Sequence, residues 1–110
     1  MRAYSFRAAL DAGLEPREYS DEVPIGTFKA HLDFKIWGES PCLRCFFSNT
    51  DGKKISISAY RAKDNPAWYS PKDGSLDMSA PDAAGNFYII TTGINSKGKT
   101  AWLTARKLSN

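Results

Sequence analysis

The chain reads as mainly β: a small five-stranded barrel or a strongly curved antiparallel sheet, with one short α-helix ahead of it. Three observations predict this. Thr27 to Trp37 alternates apolar and polar side chains without a break, the period of a strand with one buried face. Asn49-Thr50-Asp51-Gly52 joins two further alternating stretches, and Asp-Gly adopts the positive φ angles that tight hairpins need. Near the C-terminus, Asn86–Thr92 is rich in aromatic and β-branched residues, Ala101–Leu108 alternates, and the two flank a Lys97-Gly98-Lys99 turn. With 110 residues, 42% hydrophobic and 25% charged, the whole span 1–110 is expected to fold as one domain.

Taken in order, Ser5 is placed to cap a helix over about 5–13, which Gly13 ends; Phe6, Ala9 and Leu10 share one side of it. A polar connection runs from Pro16 to Pro24. The first strand, 27–37, turns Phe28, Ala30, Leu32, Phe34 and Ile36 inward and Lys29, His31, Asp33, Lys35 and Trp37 outward. Gly38-Glu39-Ser40-Pro41 makes a turn. The second strand, 42–49, buries Leu43, Cys45 and Phe47 and shows Arg44, Phe46 and Ser48. The third, 53–61, buries Ile55, Ile57 and Ala59 with Ser56, Ser58 and Tyr60 on the reverse. Residues 62–85, punctuated by Pro66, Pro71, Gly74 and Pro81, form a long irregular connection in which Leu76 and Met78 fit a short strand. The last two strands cover 86–93 and 100–108, the latter with Ala101, Leu103 and Ala105 inward and Trp102, Thr104 and Arg106 outward. Five such strands hide their apolar side best by curling, which also shortens exposed edges. In strand order alone the chain is similar in outline to OB-fold proteins, and an OB-like or SH3-like barrel is expected.

Several motifs resemble chemistry that the rest of the chain does not support. Gly93-Ile94-Asn95-Ser96-Lys97-Gly98-Lys99-Thr100 satisfies the P-loop pattern, but too little chain follows for a parallel α/β core, and Ala101–Leu108 alternates like a strand. A hairpin turn explains it without a nucleotide. Cys42 and Cys45 have C-x-x-C spacing, yet His31 is the only other thiol or imidazole, so four zinc ligands cannot be assembled. On a strand, two thiols three residues apart point to opposite faces. His31, between Lys29 and Asp33, reads as a solvated strand residue rather than part of a triad. The carboxylates at Glu15, Glu18, Asp21 and Glu22 share no face at a telling spacing. The expectation is a non-enzymatic protein with no catalytic residues, cofactor or metal.

What remains is the outward side of the sheet. Lys29, Lys35 and Trp37 would lie beside Arg44, Phe46, Tyr60 and Arg61, with Trp102 and Arg106 extending the surface and Trp68 and Tyr69 folding over it. Cations interleaved with rings suit single-stranded nucleic acid, which needs charge for phosphates and flat apolar faces for bases. The candidate binding residues are therefore Lys35, Trp37, Arg44, Phe46, Tyr60, Arg61, Trp102 and Arg106. A net charge of +3 agrees in sign. The alternative is a protein-interaction or regulatory module, dimeric with itself, of the kind carried by a phage or mobile element, because Trp, Tyr and Arg also dominate protein hot spots. An enzyme with a pocket beneath Arg61–Gly85 ranks last. No apolar run approaches the roughly 20 residues that cross a bilayer, and two cysteines make no disulfide framework, so a cytoplasmic protein without membrane contact is expected.

Overall fold

β2 (Gly26–Trp37) is the longest strand, and the other elements are arranged about it. In a computed structural model that describes residues 3–37, 42–74 and 76–108, the chain forms β1 (Ala3–Tyr4), α1 (Phe6–Asp11), a 3-10 turn (Pro16–Glu18), β2, β3 (Cys42–Asn49), β4 (Lys54–Arg61), β5 (Tyr69–Ser70), β6 (Phe87–Ile94) and β7 (Thr100–Lys107). The expected turn at Gly38–Pro41 lies outside the described residues. Mainly β architecture with a short N-terminal helix is what the alternation predicts. Six strands form one antiparallel sheet in the order β5-β4-β3-β2-β6-β7, and β1 adds a parallel pair to β2 at Lys35 and Ile36.

The sheet curls but stays open, which corrects the closed-barrel alternative. Its two ends, β5 and β7, do not pair. Instead the chain just beyond β5 reaches β7, with the Lys72 and Asp73 amides donating to the carbonyls of Trp102 and Leu103. On the concave side Phe47 of β3 meets Trp102 of β7 edge-to-face at 5.6 Å, although β2 and β6 lie between their strands. That side holds the main core: Leu32, Leu43, Cys45, Phe47, Ile55, Ala59, Tyr88, Ile90 and Trp102, closed over by Met78 and Ala83 of the long connection. The short strand in that connection is Tyr69–Ser70 rather than Leu76–Met78; Asp77 instead organises the loop, its carboxylate accepting from the Tyr69 and Ser79 amides.

Two β-bulges invert the alternation. In β2, Leu32 faces Phe47 while Phe34 faces Phe46, so Asp33 is an extra residue with no partner opposite. A bulge of this kind shifts every later side chain to the other face. Phe34 and Ile36, expected inward with Leu32, lie on the convex side, and Lys35 points into the core. In β7, Trp102 faces Thr92 and Thr104 faces Thr91, making Leu103 the extra residue. Trp102 therefore turns inward. Gly93 leaves space for the bulged side chain, since a Cβ there would sit 2.9 Å from Leu103 Cδ1.

The convex side carries a second, smaller core of Ala9, Phe34, Ile36 and Phe46, with Tyr4, Leu14 and Tyr19 against it. Phe34 and Phe46 stack at 4.6 Å, and the Tyr19 ring meets both edge-on at 5.4 and 5.3 Å. Here the N-terminal helix docks. Ser5 caps it as expected, its hydroxyl accepting from the Ala8 amide, and Gly13 leaves it at φ +81°. Ala9 provides the buried contact, whereas Phe6 remains half exposed.

Two hairpins share one turn chemistry. In Asn49-Thr50-Asp51-Gly52-Lys53, the Asn49 side-chain oxygen accepts from the Asp51 and Lys53 amides. In Asn95-Ser96-Lys97-Gly98-Lys99, Asn95 does the same for Lys97 and Lys99. The P-loop-like segment is thus a hairpin turn, and the amides that would cradle a phosphate already serve Asn95. Gly52 and Gly98 sit at φ +79° and +77°. Gly52→Ala is expected to cost roughly 1–2 kcal/mol, the penalty of a Cβ in the left-handed region, read as a lower urea midpoint at unchanged slope.

Candidate nucleic-acid interface

The eight residues expected on one surface divide among four places. Lys35 is 1% exposed and donates from Nζ to the carbonyls of Met78 at 2.9 Å and Ala80 at 2.8 Å. Trp102 is also buried, its Nε1 donating to the Thr104 carbonyl. Both are corrections with one cause, the bulges that turn these side chains inward. Phe46 faces outward as expected but lies under the N-terminal segment. Arg44 is exposed, stands 5.7 Å over the Phe46 ring and donates to Ser56 Oγ. It borders a groove of about 300 Å³ whose other walls include Phe6, Arg17, Tyr19 and Ile36.

Trp37, Arg61 and Tyr60 gather near the β5 edge, Trp37 on the concave side with its partner Leu43 rather than outward, because it too follows the Asp33 bulge. Trp37, 44% exposed, meets Tyr69 edge-on at 4.9 Å, and Arg61 lies 5.7 Å over the same ring while donating to its hydroxyl. Tyr69 does fold onto Trp37 from the connection. Tyr60, 61% exposed, is one residue along β4 and so projects from the opposite face.

Arg106 belongs to another surface, the part of the convex side that the N-terminal segment leaves uncovered. Register places three outward rows there. Ser48, His31 and Phe87 form the first, with Lys54 opposite Ser48 at its end; Lys29, Ile89 and Arg106 form the second; Thr27, Thr91 and Thr104 the third. Lys29 Nζ stands 4.9 Å over the Phe87 ring, and the His31 ring approaches Phe87 at 4.9 Å from its other neighbour. Sequence reasoning named Lys29 as an outward cation and passed over Phe87 because its strand, though recognised, was not assigned faces. Pairing of Phe87 with His31 settles the face.

Among the described residues two carboxylates border these rows, and both are engaged: Glu18 accepts from Lys54 Nζ at 2.8 Å, and Asp33 holds three partners. Asp33, thrown out by the bulge, takes hydrogen bonds from Tyr19 Oη at 2.7 Å and from Ser48 Oγ on one oxygen. Its other oxygen is 2.6 Å from His31 Nδ1. A carboxylate offers only lone pairs, so Nδ1 carries the hydrogen and Nε2 is left as the acceptor of the neutral ring. Burial and the bond to Asp33 raise the Tyr19 pKa well above its usual value. The network joins elements far apart in sequence and was invisible to a local reading.

Beneath the long connection is a hollow of about 220 Å³ lined by Trp68, Leu76, Met78, Tyr88 and Lys107 among others. No disulfide joins Cys42 and Cys45, which are both buried, and burial pushes the Cys45 thiol up to about 12. Among the described residues no group of His, Cys, Asp or Glu side chains is arranged to hold a metal ion, and no helix is long and apolar enough to cross a membrane. No protein-family model, curated protein or solved structure matches the chain.

Proposed function

We propose that this protein binds single-stranded nucleic acid across the uncovered convex rows, with Lys29 and Arg106 taking phosphates and Phe87 and His31 offering rings to bases. The observation that carries the reading is Lys29 poised over the exposed Phe87 ring, on a face whose bordering carboxylates are already paired, Asp33 with Tyr19, Ser48 and His31 and Glu18 with Lys54. Such a face presents cations and a stacking ring without a competing free acid. Its curled sheet supports relating it to small OB-like or SH3-like barrels, of which the OB-fold carries oligonucleotides on a sheet face.

The test is fluorescence anisotropy of a labelled single-stranded DNA dodecamer at 50 and 200 mM salt. Binding should weaken steeply with salt, and Phe87→Ala should weaken it about 5- to 150-fold, the equivalent of one lost stacking contact of 1–3 kcal/mol. No binding at the lower salt, or binding indifferent to salt, overturns the reading.

A second reading rests on Trp37, Tyr69 and Arg61. A partner protein, or a second copy, docking on the β5 edge would use residue types that dominate hot spots. Light scattering that shows a dimer lost on Trp37→Ala favours it for self-association; a monomer at high concentration counts against that form.

A further inference from the structure

We infer that the same face cleaves RNA, with His31 as the general base that activates a ribose 2′-hydroxyl; the inference rests on the nucleic-acid reading above and names its substrate class. Three observations carry it. First, the His31 tautomer is set: Asp33 holds Nδ1, and Asp33 is itself fixed by Tyr19 and Ser48 from two other elements. This is the arrangement by which a carboxylate orients a catalytic imidazole. Second, Nε2 has no hydrogen-bond partner among the described residues, yet no side-chain nitrogen or oxygen there is both buried and unpartnered, so Nε2 reaches solvent. Third, what a phosphodiester would need lies beside it. Phe87 touches His31 and Lys29, and Lys29 and Arg106 flank Ile89 from the two neighbouring strands. With strands about 4.8 Å apart, the two cations arise roughly 10 Å from one another at the backbone, and their long side chains can converge on one phosphate.

The step balances without a co-reactant beyond water. His31 Nε2 takes the 2′-hydroxyl proton, the 2′-oxygen forms a bond to the adjacent phosphorus, and the bond from phosphorus to the 5′-oxygen breaks. The leaving 5′-oxygen takes a proton from solvent, and the imidazolium later returns its proton to solvent. The products are a 2′,3′-cyclic phosphate and a 5′-hydroxyl. Lys29 and Arg106 oppose the extra negative charge that develops on the phosphate oxygens. A positioned base of this kind is worth about 10²- to 10⁴-fold in rate.

The experiment compares a labelled RNA dodecamer, its DNA counterpart and its 2′-O-methyl counterpart, in the presence of a chelator, with wild type and with His31→Ala and His31→Gln purified side by side. Wild type should bind all three strands and cut only the RNA, leaving cyclic-phosphate ends. Both variants should lose no more binding than the one ring His31 offers, about 5- to 150-fold, should unfold at temperatures near that of wild type and, at protein concentrations that saturate the RNA, should lose at least 100-fold in cleavage rate. RNA that stays intact while DNA binds overturns the cleavage inference and leaves the binding reading standing. Equal cutting by wild type and variants assigns the activity to a contaminant and also overturns it. Absence of binding to every strand removes both. Should alanine at 31 unfold the chain, His31→Gln, which keeps a donor for Asp33, decides.

Discussion

Trp102→Ala is expected to destabilise the protein by about 3–5 kcal/mol, the range for removing a buried aromatic side chain. Small domains are stable by only about 5–15 kcal/mol, so this one change would remove a large part of the total. A tryptophan on an open binding platform would behave differently, because surface substitutions usually stay within about 0.5 kcal/mol. The structure gives three reasons for the larger figure. Trp102 is 5% exposed, its ring meets Phe47 edge-on across the concave side, and its Nε1 is satisfied by Thr104. Urea unfolding followed by circular dichroism measures the loss. A midpoint unchanged from wild type would mean that β7 carries Trp102 outward after all.

Lys35→Ala should cost roughly 2–4 kcal/mol, because the carbonyls of Met78 and Ala80 lose their donor while the space left by the aliphatic stem stays unfilled. Lys35→Met restores most of the volume and isolates the charge. In the unfolded chain this amine titrates near 10.5, whereas in the fold burial disfavours the cation and lowers its pKa. Between the lowered value and 10.5 the unfolded chain binds more protons, so the contribution of Lys35 to stability rises with pH through that window. Below the window the buried charge is at its most costly. Cys45 works the other way: burial holds its thiol up to about 12 against an ordinary 9.0, so stability falls as pH rises between those values. Wild type therefore carries opposing slopes, and Lys35→Met should lose stability more steeply on the alkaline side. Parallel curves of stability against pH for the two proteins would refute the assignment.

Both substitutions probe places where alternation misleads. The strands of 27–37, 42–49, 53–61, 86–93 and 100–108 are legible because apolar side chains recur with period two and because Gly52 and Gly98 mark the turns between them. Ser5 and Gly13 mark the helix in the same local way. A bulge leaves no comparable sign when, as at Asp33 and Leu103, the extra residue is not a glycine. It inverts the faces on one side of it relative to the other while leaving composition untouched, and so Phe34, Lys35, Ile36 and Trp37 after Asp33, and Ala101 and Trp102 ahead of Leu103, lie on faces opposite to those that alternation predicts. β1 and β5 have two residues each, too few for a period. Of the candidate surface, Lys29 and Arg106 could be read from the strand pattern. The engagement of His31 by Asp33 could not, since it depends on Tyr19 and Ser48 arriving from elsewhere in the chain.

The twin turns have an implication for how this molecule can change. Since Ala30 of β2 pairs with Asn49 and Gly26 pairs with Thr92 near the end of β6, both loops hang from the end of the sheet where β2 begins. Each is held by an asparagine and a glycine, and the positions between them contribute backbone alone to the hydrogen bonds. Thr50, Asp51, Ser96 and Lys97 are thus interchangeable parts on a fixed frame. Asp51 and Lys97 occupy the same slot with opposite sign, so the electrical character of that rim can drift through single substitutions while the scaffold beneath it stays as it is.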